Sequence, residues 1–280
     1  MPVDIYQGGF EHTTLHLLYS RFVYKFLYDI GVVPTKEPYR KRRSHGIVLG
    51  PDGRKMSKSF DNIINPDDII NKFGADTLRI YEMFMGPFDQ TIAWSEESVE
   101  GCFRFLKRVW QLFLTKASDK NTSVKLASKL HKTIKKASED LENLKFNTAV
   151  ASLMGFIKDW RSDKEGLNRD DLKKFLLILA PFAPHTAEEL WNKIGEKSSI
   201  HQSQWPSYES KLLKEEEVTI VTQINGKIRY TFRLSAEKIG DQQLIERIAK
   251  DSQKIKKHLD NRTIKKVVYV KGRVINFVIA

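Results

Sequence analysis

Apolar residues recur every three or four positions through the middle of the chain, between residues 95 and 195. The five resulting seams run through Val99, Phe103, Leu106, Trp110 and Phe113; Leu126, Leu130, Ile134, Ala137 and Leu141; Val150, Leu153, Ile157 and Trp160; Leu172, Phe175, Leu176 and Leu179; and the segment His185–Ile194. Ser95 and Asn168 stand where helix N-caps are expected. Each seam covers one side of a helix, so the pattern predicts a helical bundle whose Met and aromatic stripes form its core.

The chain before the bundle has a different pattern. A strand-like stretch at residues 3–6 meets the glycine pair Gly8-Gly9, and an apolar helical face at residues 15–26 follows. This order of strand, glycines and helix is the geometry in which backbone approaches a nucleotide, although a plain turn explains the glycines more simply. Residues 34–51 are expected to be extended and irregular, except that the apolar run 46–49 is interpreted as a buried strand.

Two short helices are predicted next, and a small α/β unit is predicted after the bundle. Asn65-Pro66 marks a helix start, and Asp76 opens a second helix. Beyond a polar connector, residues 218–234 predict a hairpin with an Asn225-Gly226 turn. A charged helix from Asp241 to His258 and a second hairpin at residues 267–279 complete this unit.

Composition and charge narrow the class of protein. The 280 residues are 41% hydrophobic and 29% charged, with no apolar run of membrane-spanning length and no signal-peptide pattern, so we expect a cytoplasmic globular protein with no membrane partner. Cys102 is the single cysteine, which excludes an internal disulfide and zinc-type Cys/His spacing. The net charge of +12 predicts a polyanionic partner, of which nucleic acid is the commonest in a cytosol.

The strongest candidate chemistry lies on a loop at residues 52–59, Asp-Gly-Arg-Lys-Met-Ser-Lys-Ser. It carries two lysines and two hydroxyls after a Pro51-Asp52-Gly53 turn signal. Ammonium groups on a loop suit a reaction in which negative charge builds on transferring phosphate oxygens. Residues 40–43 form a second basic run. Two interpretations are open: the run contacts RNA, or it is a charged stretch exposed to solvent.

Several motifs follow one another along almost the whole chain. They are Gly8-Gly9-Phe10-Glu11-His12, His16-Leu17-Leu18-Tyr19, Lys55-Met56-Ser57-Lys58-Ser59, Phe73–Arg79, Phe105–Trp110, Phe146–Ala149, Pro181–His185 and Ile224–Lys227. In this order they resemble the C-terminal part of bacterial-type leucyl-tRNA synthetases, which are class I aminoacyl-tRNA synthetases. Valyl and isoleucyl enzymes share the loop and bundle, but the first two motifs resemble the leucine member.

The resemblance implies a mixed α/β and α fold with an ATP site. Residues 1–51 would be the distal part of a Rossmann-like catalytic domain, and residues 52–94 the lysine loop with connecting helices. Gly9, Glu11 and His12 would lie near the adenosine of ATP. Lys58 would contact the ATP phosphates, with Mg2+ accompanying ATP and no metal site encoded in this chain. The catalytic set implied by the resemblance is Lys55, Ser57, Lys58 and Ser59.

The resemblance also implies a surface for tRNA(Leu). Residues 95–195 would be a helical domain of the anticodon-binding type, followed by a linker at residues 196–215. Residues 216–280 would be a small α/β C-terminal domain that docks on the tRNA. The implied phosphate contacts are Lys227, Arg229, Lys265, Lys266 and Lys271. The alternative for each of these residues is a solvated cation with no RNA contact.

The chain also departs from the family pattern. The His-Ile-Gly-His signature and the inserted editing domain are absent from the sequence. We therefore expect a C-terminal fragment or split subunit of leucine–tRNA ligase that is inactive without the N-terminal catalytic half, supplied by the same polypeptide or by a separate subunit. The alternatives are a non-catalytic tRNA- or RNA-binding module, and a fragment of a valyl- or isoleucyl-tRNA synthetase.

Overall fold

The computed structural model describes residues 1–118, 120–213, 217–260 and 262–280. These residues form two compact units, Met1–Glu209 and Ser210–Ala280. The helices are α1 His16–Asp29, α2 Pro66–Phe73, α3 Ala75–Phe84, α4 Glu96–Lys116, α5 Val124–Glu142, α6 Phe146–Ser162, α7 Arg169–Leu179, α8 Pro184–Lys193, α9 Gln242–Asp251 and α10 Gln253–Leu259. The strands are β1 Val3–Gly9, β2 Tyr39–His45, β3 Val48–Leu49, β4 Ile92–Ala93, β5 Glu217–Ile224, β6 Lys227–Ser235, β7 Ile264–Val270 and β8 Val274–Ile279.

The five predicted bundle helices are confirmed as α4 to α8. Ser95 and Asn168 cap α4 and α7 through their side-chain oxygens, as their positions predicted. The core includes the rings of Phe156, Trp160 and Phe175, whose centroids lie 5.4 to 6.3 Å apart. These rings are at most 2% exposed, so the seams of the bundle cover one another.

Helix α3 is joined to the bundle by a buried carboxylate rather than by apolar contacts alone. Asp76, 6% exposed, accepts hydrogen bonds from the Thr186 backbone N–H and Thr186 Oγ1, both at 2.6 Å, and lies 2.8 Å from His185 Nδ1. Thr186 stands in the first turn of α8, whose backbone donors have no partner within the helix. Asp76 therefore caps α8 from a distant part of the chain.

The expectation for residues 34–51 was wrong in two respects. The basic run at residues 40–43 lies inside a regular strand, β2, which pairs in parallel with β1 from Val3–Tyr39 to Gly9–His45. The apolar run at residues 46–49 contributes only the two-residue strand β3, and Ile47 and Val48 are more than a third exposed. Pairing of the main chain with β1, rather than an apolar pattern of side chains, makes β2 a strand.

The second unit is a four-stranded sheet in the order β6-β5-β8-β7, with α9 and α10 contributing to its core. Both predicted hairpins are present. The predicted single helix from Asp241 to His258 is instead interrupted at Ser252. In one continuous helix, Ile255 would not lie on the same face as Ile245 and Ala249. The interruption allows all three side chains to be buried. The predicted domain boundary at residues 215 and 216 lies outside the described residues.

Candidate functional site

The lysine loop is closed by a network around Asp52. Strand β3 leads into a turn in which the Gly53 N–H donates to the Gly50 carbonyl and the Gly50 N–H donates to the Arg54 carbonyl. The Asp52 carboxylate accepts from Asn62 Nδ2 at 3.0 Å and from Arg54 Nε at 2.7 Å. The hydrogen bond from Asn62, followed by those from Arg54, lowers the pKa of Asp52 to about 2. The carboxylate is therefore ionised near neutral pH and holds both ends of the loop together.

The segment that carries Lys58 is a single 3-10 turn, Lys58–Phe60, capped by Ser57. The Ser57 hydroxyl accepts from the Ser59 N–H at 3.3 Å and lies 2.8 Å from the Ser59 hydroxyl. The Ser57 N–H in turn donates to Asn62 Oδ1 at 2.9 Å. The two serines thus shape the turn from which the Lys58 side chain projects.

The three cations of the loop differ in their surroundings. The guanidinium of Arg54 is 2.7 Å from the Asp52 carboxylate and stacks over the ring of Phe60 at 4.6 Å. Lys55 and Lys58 are exposed, and neither has an ion-pair partner among the residues that the structure describes. The loop therefore presents two uncompensated ammonium groups beside one neutralised guanidinium.

The candidate adenosine-binding residues lie where β1 ends. Gly9 is buried, and a Cβ at this position would displace the flexible carboxylate of Glu11, which folds back over the glycine. Glu11 and His12 lie in a 3-10 turn, Phe10–Thr13, that connects β1 to α1. His12 Nδ1 is buried and has no hydrogen-bond partner among the described residues. This edge, the carboxyl end of parallel strands, is where open α/β sheets bind ligands.

The structure places the two parts of the predicted ATP site on different small sheets. The turn with Glu11 follows the β1–β2 pair, whereas the lysine loop follows β3, which pairs with β4. Within the described chain, no hydrogen bond or ion pair joins residues 8–12 to residues 55–59. The two candidate sets are therefore separate groups that follow different sheets.

The predicted phosphate contacts of the second unit fall into separate groups. Lys227 and Arg229 lie on edge strand β6, whereas Lys265 and Lys266 lie on the opposite edge strand, β7. Two strands separate these edges, which corresponds to roughly 14 Å at the usual strand spacing. Lys271 follows β7 in the turn to β8. The structure therefore offers two basic edges instead of one cluster.

Sequence reasoning missed the residues that organise the loop. Asn62 is only 9% exposed and joins the Asp52 turn to the Ser57 cap, and no periodic pattern marks it. The sequence pattern marks Asp52 only as a turn residue. A short run of polar residues after a signature loop gives no signal of which side chain turns inward, since that depends on how the loop closes.

Neither a metal-binding cluster nor a membrane-spanning helix occurs among the described residues. They contain no group of three or more His, Cys, Asp or Glu side chains placed to hold a metal ion. None of the described helices is both long and apolar enough to cross a membrane.

Comparison with known proteins gives two family matches. Residues 2–95 match the family model described as "tRNA synthetases class I (I, L, M and V)". Residues 125–240 match the model "Anticodon-binding domain of tRNA ligase". The mixed α/β architecture therefore combines part of a class I synthetase catalytic region with an anticodon-binding domain.

The individual relatives agree with these matches. A leucine–tRNA ligase from Alkaliphilus oremlandii (strain OhILAs) is 46% identical over 279 residues, covering 100% of this chain and 34% of that enzyme. The solved ternary complex of Agrobacterium radiobacter K84 agnB2 LeuRS with tRNA and LeuAMS matches with a TM-score of 0.77 and 30% identity, covering 100% of this chain and 38% of that one. The chain thus spans about a third of the length of the curated relative it matches.

Proposed function

The chain is a homologue, along its whole length, of one part of the leucyl-tRNA synthetases, and we propose that it supplies the lysine loop and the tRNA-supporting domains of such an enzyme. The complete enzyme would condense leucine with ATP and then pass leucine to the 3′ end of tRNA(Leu). The remaining catalytic residues would come from an N-terminal portion, in the same polypeptide or in a separate subunit.

In this proposal the lysine loop acts on the activation step. The leucine carboxylate attacks the α-phosphate of ATP, a new C–O–P linkage forms, and pyrophosphate leaves. Negative charge grows on the departing pyrophosphate, and Lys55 and Lys58 would stabilise it by placing ammonium groups against the phosphate oxygens. Mg2+ would accompany the ATP phosphates. Ser57 and Ser59 would hold Lys58 in place through the capped turn and could donate to phosphate oxygens when the loop closes.

One observation carries this role. The fold neutralises Arg54 with Asp52 but leaves Lys55 and Lys58 exposed and without ion-pair partners in the described part of the chain. Two free ammonium groups on an anchored turn suit a phosphate ligand that arrives from outside.

The adenosine half of the site follows from the end of β1. We propose that the Glu11 carboxylate turns away from Gly9 to accept hydrogen bonds from ribose hydroxyls, that Gly9 then gives the nucleotide close access to backbone, and that His12 uses its free Nδ1. The basic edges of the second unit and the bundle would support the body of tRNA(Leu), with phosphate contacts from Lys227, Arg229, Lys265, Lys266 and Lys271. The proposed ATP and tRNA binding would take place in the cytoplasm.

The N-terminal portion has a surface to occupy. The apolar face of α1 is exposed at Leu18, Phe22 and Phe26, and parallel sheets are normally covered on both faces. The curated relative extends well beyond the length matched here. We propose that the N-terminal catalytic portion covers α1 and extends the β1–β2 pair.

The first test is leucine-dependent ATP–pyrophosphate exchange, measured with this chain alone and with the N-terminal portion added in trans. We expect no exchange with the chain alone and exchange with the mixture. Exchange that depends on valine or isoleucine instead would assign a different member of the family. No exchange in the mixture, together with salt-sensitive tRNA binding, would favour a non-catalytic RNA-binding module, which the net charge of +12 also suits.

The role of the loop is tested in the same mixture by Lys58→Ala. We expect exchange to slow by about 100-fold or more, the usual cost of one group that stabilises transition-state charge. Binding of tRNA should be nearly unchanged. Lys158→Ala, an exposed lysine on α6, is the matched control and should exchange at the wild-type rate. Normal exchange by Lys58→Ala would remove the assigned role.

A further inference from the structure

A cavity in the first unit is lined by residues outside the lysine loop. Its volume is about 430 Å3, and three distant segments line it: residues 42–44 at the end of β2, the loop at residues 87–89, and the α5–α6 turn with Asn147. Cavities that hold small ligands or parts of larger ones begin at roughly 300 Å3, so one nucleotide unit can enter.

The cavity is strongly basic. Arg42, Arg43 and Lys145 line it, against one acidic residue, Asp89. Asn143 and Asn147 add amide groups that donate and accept hydrogen bonds. This combination of three cations with neutral donors suits an anion that carries several oxygen atoms, which is the chemistry of a phosphodiester.

One donor atom of the cavity's cations, Arg42 Nε, has no acceptor among the described residues. Arg42 Nε is buried and makes no hydrogen bond within the described residues, while Arg42 Nη2 donates to Thr13 Oγ1 at 2.8 Å. A buried donor without an acceptor costs free energy, so a ligand oxygen that satisfies it gains affinity. The bond to Thr13 also fixes the guanidinium against the turn that carries Glu11 and His12.

The other walls of the cavity are held firmly. The Gly46 N–H donates to the Phe88 carbonyl at 2.9 Å, and a Cβ at Gly46 would collide with the Gln90 carbonyl. The α5–α6 turn is anchored because the Lys145 N–H donates to the Asp140 carbonyl at 2.8 Å, and the buried Asp140 carboxylate accepts from Thr148 Oγ1 at 2.7 Å. The cations therefore stand on fixed segments before any ligand arrives.

We propose that this cavity binds a backbone phosphate of the tRNA, with Arg42, Arg43 and Lys145 around the phosphate oxygens and the asparagines on the adjoining ribose. The assignment rests on the proposed function, which supplies an RNA partner. The partly buried ring of Phe88 lines the same space, so a neighbouring base would pack against an aromatic side chain there, which favours RNA over an acidic peptide.

The test is binding of an unmodified tRNA(Leu) transcript to the full 280-residue chain over a series of salt concentrations. We expect Arg43→Ala and Lys145→Ala each to weaken binding about 3- to 10-fold at moderate salt. Each should also lower the slope of log K against log salt by about 0.7 to 1, the amount lost with one phosphate contact. Lys41→Ala is the matched control, since Lys41 belongs to the same strand but does not line the cavity. Its slope should equal that of the wild type.

Each result decides the proposal. Wild-type slopes for both Arg43→Ala and Lys145→Ala would overturn it, as would displacement of the tRNA by polyglutamate as effectively as by unlabelled tRNA. Failure of the proposed function is recognised separately, because pyrophosphate exchange depends on the lysine loop and not on this cavity. Loss of exchange in the Lys58→Ala mixture beside unchanged salt slopes would reject the cavity alone. Lowered slopes without exchange in any mixture would reject the synthetase role and keep the RNA site.

Discussion

The bundle and the N-terminal helix α1 both carry apolar seams, yet they bury them differently. In α5 to α7 the seam residues Ile134, Leu153 and Phe175 are fully buried. In α1 the seam residues Phe22 and Phe26 are 74% and 58% exposed. The difference lies in what surrounds each helix: the bundle helices pack on one another, whereas side chains of α1 bond to strands β1 and β2 and to the loop at residues 35–37.

This contrast teaches that a seam in a sequence predicts a helix but not its partner. The bundle helices bury their apolar seams against one another, so the stability of the bundle comes from contacts within this chain. The N-terminal segment is one side of a layer that needs another surface. We therefore expect the same kind of mutation to change the free energy of unfolding by very different amounts in the two regions.

The largest expected effect separates the two regions directly. Phe175→Ala should lower the free energy of unfolding by about 3 to 5 kcal/mol, because it leaves a cavity beside Phe156 and Trp160. Phe22→Ala, the matched change on α1, should alter it by less than about 0.5 kcal/mol. Urea unfolding followed by circular dichroism measures both, and equal losses would contradict the contrast.

The next effect concerns the link between α3 and the bundle. Asp76→Ala removes the acceptor for the first turn of α8 and leaves its donors unpaired, so we expect a loss of about 1 to 3 kcal/mol. Asp67→Ala, an exposed acid in the first turn of α2, is the control and should cost at most about 0.5 kcal/mol. The same unfolding measurement compares them.

A smaller effect tests the exposed seam. Phe22→Glu should leave the stability of the chain alone nearly unchanged but weaken association with the N-terminal portion about 10-fold or more, because it places a charge in the apolar contact. Titration calorimetry measures the affinity. Asp29→Ala, at the end of the same helix, serves as control. Unchanged affinity in Phe22→Glu would show that another surface joins the two portions.

The smallest effect is a pH dependence inside the bundle. Burial, with a further contribution from the charge of Lys174, lowers the pKa of His131 below its usual value near 6.5, although Glu209 and Asp171 act in the opposite direction. His131 Nδ1 accepts from the Glu209 N–H at 2.9 Å, which suits the neutral ring. The stabilising contribution is therefore present above pH ~6.5 and is lost as the pH falls below it.

His131→Gln should accordingly flatten the change in stability between pH 7.5 and pH 5.5 by up to about 1 kcal/mol. Thermal unfolding at the two pH values measures this, with His201→Gln as the comparison at an exposed histidine. A variant with the same pH dependence as the wild type would show that other groups govern acid sensitivity.

The parts of the fold that follow from local pattern were predictable. The helices of the bundle and the Asn65 and Ser95 caps depend on residues within a few positions of one another. Strand β2 was not predictable in the same way, because its pairing with β1 joins residues 36 positions apart, such as Val3 and Tyr39. A run of four cations gives no alternation to indicate a strand.

The candidate sites also differ in whether a local pattern predicts them. The lysine loop is a contiguous motif, so the chain order alone singles out Lys55 and Lys58. The Asn62 anchor and the cavity at Arg42 arise only when distant segments meet, and their members have no common spacing. Charge composition predicted an anionic partner but could not show which cations share one space.

The capping of α8 by Asp76 has a consequence for synthesis on the ribosome. The bond from Thr186 to Asp76 joins residues 110 positions apart. At a usual elongation rate, about 5 to 20 s pass between the synthesis of the two. During that interval α3 carries a carboxylate with no helix to cap, while α4 to α7 emerge one by one. Helix α8 can bond to Asp76 only after α4 to α7 have been synthesised. The docking of α8 is therefore a late step of co-translational folding.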